Sequence, residues 1–170
     1  MTLVRTLLAF TAFLAAPSFA KDPAPAPKAP AGCTSAESRQ FDFWIGDWNV
    51  INPTGKVAGH NRIESILGGC ALAEHWSGET GTDGKSYNAY DTEAKVWRQF
   101  WVDAQGGVAE LEGKLVGGKM ILQSRKPGKR VSRITWTPNA DGTVRQLWET
   151  TEDGGANWKT AFDGMYQRTR

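Results

Sequence analysis

Few residues in this chain could do acid–base, metal or redox chemistry near neutrality: two histidines, His60 and His75, two cysteines, Cys33 and Cys70, and a carboxylate in an unusual setting, Glu74. The setting follows from strand alternation. If Gly68-Gly69 is a two-residue loop, Asn61, Ile63, Ser65 and Leu67 share a face with Leu72, Glu74 and Trp76. The opposite face collects His60, Arg62, Glu64, Ala73, His75 and Ser77. The first set is the more apolar and is expected to face the core. A carboxylate placed there must be paired or protonated, so Glu74 should titrate abnormally. Two roles compete for it: a group facing a ligand, or one half of an internal ion pair with Arg168 or another arginine.

His60, His75 and Glu64 could together hold zinc, since two imidazoles and a carboxylate are an adequate donor set. Arg62, however, lies between the histidines and directly opposite His75 in this register, and a fixed cation there opposes a metal dication. The face also points to solvent, so the histidines read as surface residues and no metal is expected. Glu74 and His75 do not form a catalytic dyad, because adjacent strand residues point to opposite faces. Cys33 and Cys70 lack the C-x-x-C spacing of a redox pair and read as a disulfide. Closing that separation stabilises the fold by about 4 kcal/mol in the chain-entropy model. No Ser-His-Asp order, phosphate loop, haem attachment or nucleotide fingerprint is present, so neither a cofactor nor a dedicated catalytic residue is expected.

Residues 1–20 carry the marks of a cleavable signal peptide: Arg5 in a short n-region, an apolar run from Leu7 to Ala16, and Ser18-Phe19-Ala20 as a small-x-small cleavage site. Pro17, Ser18 and Lys21 interrupt that run before it reaches membrane-spanning length, so no stable insertion is expected after cleavage. The predicted location is periplasmic or extracellular. Residues 21–32 hold four of the eight prolines and no large apolar residue, which predicts a disordered tether. Cleavage would remove one of the 20 bases, Arg5, leaving 19 against 18 acids. That balance argues against nucleic acid, whose binding needs a clustered basic excess. The segment Arg125-Lys126-Pro127-Gly128-Lys129-Arg130 reads as a solvated turn before an anion patch.

The elements that would position Glu74 are short strands. From Asp47 onward the chain alternates in brief runs punctuated by Gly68-Gly69, Asp83-Gly84, Gly106-Gly107, Gly117-Gly118, Asp141-Gly142 and Asp153-Gly154, the pattern of consecutive hairpins. About ten strands fit. Pro53, Pro127 and Pro138 fall in turns, and no segment suits a long crossover helix, so the sheet must be antiparallel. Before the strands, Thr34 and Glu37 make a capping box, with Phe41, Trp44 and Ile45 at helical spacing and Gly46 as the stop: one short helix. The fold class is all-β, a single up-and-down barrel, with a sandwich as the competing closure.

A connection at Glu93-Ala94 puts Ser86, Asn88 and Tyr90 on one face with Trp97, Gln99 and Trp101. The same reasoning sends Ala109, Leu111, Leu115, Met120, Leu122, Ile134, Trp136, Val144, Gln146, Trp148, Trp158, Phe162, Tyr166 and Arg168 inward. Such an interior is aromatic but keeps a polar minority: Asn61, Glu74, Asn88, Gln99 and Gln146. A purely structural core avoids such groups, because each unpaired one costs about 1–3 kcal/mol. Apolar walls with a few convergent polar groups describe a ligand cavity. Trp76, Tyr90, Trp101 and Trp148 share faces with the polar groups and are its expected aromatic wall, whereas Trp44, Trp48, Trp136 and Trp158 are expected core fillers.

Gly46-Asp47-Trp48, entering the first strand from a short helix, resembles the G-x-W signature of lipocalins and their calycin relatives, which include the fatty-acid-binding-protein-like barrels. Arg168 stands where that superfamily often places an arginine over the tryptophan. The wider set Phe41-Asp42-Phe43-Trp44-Ile45-Gly46-Asp47-Trp48, Leu67-Gly68-Gly69, Glu74, Tyr90-Asp91 and Trp101-Val102-Asp103 resembles a family of secreted bacterial calycin-like proteins over residues 33–170. The resemblance implies a barrel rather than a reaction. Separately, Thr151-Glu152-Asp153-Gly154-Gly155-Ala156-Asn157-Trp158 resembles the Asp-box hairpin, with Asn157 in place of the last threonine. That implies a turn device. The functional expectation is an exported barrel binding an amphipathic or aromatic small molecule. The alternatives are a barrel enzyme using Glu74 as general acid or base for isomerisation or hydrolysis, and a non-catalytic envelope interaction module.

Overall fold

Alternation and turn chemistry do build hairpins here. A computed structural model describes residues 33–125 and 128–169. Within it lie ten strands: β1 Gly46–Ile51, β2 Val57–Ile66, β3 Ala71–Gly78, β4 Gly84–Asp91, β5 Val96–Asp103, β6 Val108–Val116, β7 Lys119–Ser124, β8 Val131–Pro138, β9 Val144–Thr151 and β10 Lys159–Arg168. Each pairs antiparallel with its chain neighbour, and β1 closes on β10 from Trp48 opposite Arg168 to Ile51 opposite Met165. Closure leaves no strand edge unpaired. The signal-peptide and tether segments, and Lys126-Pro127, lie outside the described residues.

The registers expected from the turns are those observed. Asn61 faces Trp76, Ile63 faces Glu74 and Ser65 faces Leu72. Ser86 faces Trp101, Asn88 faces Gln99 and Tyr90 faces Trp97. Leu67 departs from expectation: the connection is a 3-10 turn, Leu67–Gly69, in which Leu67 itself takes φ 53° and is 75% exposed. The tight reversal turns its side chain away from the core face.

The segment before β1 forms two 3-10 turns, Glu37–Arg39 and Asp42–Trp44, rather than one capped helix. Thr34 and Glu37 do not form a capping box; Ser35 Oγ instead accepts from Ser38 N at 3.2 Å. The purpose of the turns is to deliver Phe41 and Trp44, both fully buried, into one end of the barrel. Phe41 stacks on Trp44 with ring centroids 4.9 Å apart and meets Trp136 at 5.1 Å and Trp97 at 5.6 Å. Aromatic groups of this size dominate core energetics. Trp48 Nε1 donates to the Trp44 carbonyl at 2.9 Å, and Arg168 lies over the Trp48 ring at 4.4 Å while donating to the Ile45 carbonyl at 3.3 Å. A disulfide between Cys33 and Cys70 ties this plug to the β2–β3 turn. Residues 33–45 therefore close one end.

β10 carries an irregularity that corrects one expectation. Thr160 pairs with Glu149, yet Phe162 pairs with Trp148, so Ala161 is an extra residue that flips the alternation. Phe162 and Tyr166 point inward; Trp158 does not fill the core. It lies outside, under the Arg133 guanidinium at 4.0 Å. The preceding turn is the hairpin device that its sequence implied: Asp153 accepts from Thr151 Oγ1 at 2.6 Å and from Asn157 N at 2.9 Å.

Candidate functional site

Above the plug the barrel is not filled. A cavity of about 560 Å³ occupies its interior, within the roughly 300–1,000 Å³ usual for small-molecule sites. Trp76, Trp101, Trp148 and Phe162 form aromatic walls, Leu111 and Ile134 add aliphatic surface, and Glu74, Gln99, Gln146 and Tyr166 supply the inner polar groups. The exposed turn residues Glu79, Thr80, Gln105 and Arg130 also line it, so it opens at the end opposite Phe41 and Trp44.

Glycines make the room. A Cβ built on Gly59 would stand 2.7 Å from the Trp76 ring, one on Gly164 would stand 2.7 Å from Phe162, and one on Gly84 would stand closer still to the Trp101 ring. The rings therefore occupy space that a side chain at each glycine would otherwise take.

Behind the walls runs a hydrogen-bonded network that spans six strands. Glu74, 4% exposed, accepts from Asn61 Nδ2 at 2.7 Å through Oε1 and from Ser86 Oγ at 2.5 Å through Oε2. Ser86 Oγ in turn accepts from Asn88 Nδ2 at 2.9 Å and Gln99 Nε2 at 3.3 Å. One hydroxyl thus uses its donor and both lone pairs. On the other side, Asn61 Nδ2 also reaches Tyr166 Oη at 3.0 Å, and that hydroxyl donates to Gln146 Oε1. Burial pushes the Glu74 carboxyl up to about 7, against the opposing effect of its bonds from Ser86 and Asn61. Burial and the neighbouring Glu74 charge hold the Tyr166 hydroxyl well above its usual range.

The internal ion pair with Arg168 does not form. Arg168 is committed to Trp48 and the Ile45 carbonyl at the plugged end, and among the described residues no cation pairs with Glu74. The expected site residues separate into three groups. Glu74, Trp76, Gln99, Trp101, Gln146 and Trp148 line the cavity. Asn61 and Asn88 stand behind it and hold Glu74 and Ser86. Tyr90 packs against Trp97 at 6.1 Å, by the plug. Ser86 and Phe162 were not among the expected site residues, and Tyr166 was expected only as an inward-facing side chain. Ser86 was findable, because the β3–β4 register sets it directly opposite Glu74.

The histidines stand on the outer face, with His75 Nε2 3.3 Å from Glu64 and Arg62 2.8 Å from the same carboxylate. Among the described residues no group of His, Cys, Asp and Glu is arranged to hold a metal ion, and no helix is long and apolar enough to cross a membrane. No family model matches the chain, and no curated protein matches it either.

Proposed function

We propose that this protein is an exported binding barrel for a small amphipathic or aromatic molecule. The observation that carries the reading is the open cavity of about 560 Å³ with four aromatic walls and a polar network at its inner end. A barrel built only for stability would be filled to crystal-like density. The calycin-like signature around Trp48 and Arg168 supports the same reading by analogy of fold. Export is supported by the pattern of residues 1–20 and by the Cys33–Cys70 disulfide.

The test is titration with N-phenyl-1-naphthylamine, a neutral dye that brightens in apolar surroundings. Saturable enhancement with energy transfer from tryptophan is expected. No enhancement at any concentration would count against an accessible cavity.

A second reading, a barrel enzyme with Glu74 as general acid or base, is favoured by the carboxyl's titration near 7, where proton transfer in either direction is easiest. Turnover of a bound compound that Glu74→Gln abolishes without loss of binding would select it over a carrier.

A further inference from the structure

We infer that the cavity takes an organic cation, an aromatic or alkyl ammonium whose charged nitrogen sits on Glu74 among the aromatic walls. The inference rests on the cavity being a binding site, as proposed above. Its basis is an imbalance of charge. Among the described residues three carboxylates line the cavity, Glu74 inside and Glu79 and Asp103 nearer the mouth, against one base, Arg130, on an exposed turn; Glu79 also lies 3.6 Å from His60 Nε2. The basic residues on the strands beside Glu74, namely His60, Arg62, His75 and Lys85, belong to the outer face by alternation. Glu74 is thus a buried carboxylate that borders the cavity and has hydrogen-bond donors but, among the described residues, no counter-ion.

The walls fit a cation as well. Trp76, Trp101, Trp148 and Phe162 surround the space, and ring faces attract ammonium groups. The indole N–H groups of Trp101 and Trp148 are themselves buried, so what these rings offer the lumen is carbon. A carboxylate or phosphate would meet Glu74 with no interior cation to offset the repulsion. A neutral molecule would leave the ionised carboxylate with its two hydrogen bonds but without an opposite charge. A cation supplies the opposite charge that the described residues do not give the inner end.

Three probes of one skeleton separate the possibilities: 4-phenylbutylamine, 4-phenylbutanol and 4-phenylbutyrate, each measured by calorimetry at pH 8 and by displacement of N-phenyl-1-naphthylamine. The amine is expected to bind at least about tenfold more tightly than the alcohol, with the carboxylate weakest. Glu74→Gln should abolish the amine's advantage and leave the alcohol unchanged. Should that variant not fold, the unaltered protein still decides. Protons compete with the amine for Glu74, so amine affinity should fall below pH 7 by up to about tenfold per unit, while alcohol affinity stays level. Dye entry with no preference for the amine, or a preference that survives in Glu74→Gln or at pH 5, would overturn the cation assignment alone. Failure of the dye and all three probes to bind would overturn the cavity reading with it.

Discussion

The Ser86 hydroxyl lies 2.5 Å from Glu74 Oε2 across the β3–β4 ladder, while its oxygen is the shared acceptor for Asn88 and Gln99. A single side chain thus joins a buried carboxylate to two amides that would otherwise lack this acceptor.

Ser86→Ala should raise the Glu74 pKa further above 7, because the bond lost is one that favours the ionised form. At pH 8 the variant should be less stable by about 1.5–3 kcal/mol, the usual worth of a hydrogen bond to a charged group. Carboxyl carbon NMR and urea unfolding check the two parts separately.

Glu74 also sets a dependence of stability on pH. Its folded pKa, about 7, is raised above the ordinary value of 4.5, so the folded state holds the proton more tightly. The resulting stabilisation is fully present below pH 4.5 and is lost as pH rises through 7, for a change of about 3 kcal/mol. Glu74→Gln should flatten this part of the curve in urea titrations from pH 4 to 8. An unaltered slope would place the titrating group elsewhere.

Gly84→Val should close the cavity rather than the barrel. The added side chain competes with the Trp101 ring for the same space and must push the indole into the lumen. Dye binding should disappear, at a stability cost of about 1–3 kcal/mol for overpacking. Retained far-UV circular dichroism with lost fluorescence enhancement is the expected pair of results.

Trp44→Ala removes the side chain at the centre of the plug, where it contacts Phe41, Trp136 and Tyr166. A loss of about 3–5 kcal/mol is expected. Replacing both Cys33 and Cys70 by serine should lower stability by up to about 4 kcal/mol, measured in the same denaturant series without reductant.

Alternation makes much of this arrangement legible in the sequence. Tight turns at Gly68-Gly69 and Glu93-Ala94 fix parity, and parity alone puts Glu74, Gln99 and Trp101 on the inner face. What parity cannot see is an inserted residue: Ala161 reverses the sense of the chain behind it, and Trp158 moves from expected core to outer surface. Nor does parity give depth along the barrel axis. Asn88, Tyr90 and Gln99 all face inward, but Gln99 borders the cavity while Tyr90 lies down by the plug. The 3-10 turns escaped for another reason, since Phe41 and Trp44 satisfy the spacing of a continuous helix as well as that of two separate turns.

The seam between β1 and β10 has a bearing on how the chain assembles. Nine of the ten strand pairings join neighbours in sequence, so their hairpins can form locally and early. The last pairing must wait: Ile45 and Arg168, bonded to each other at the plugged end, are separated by 123 residues. Until β10 is available, β1 and β9 are bare edges able to pair with other chains. The C-terminal strand is therefore the step that closes the barrel, and its loss should turn a closed cup into an open sheet with two edges that invite aggregation.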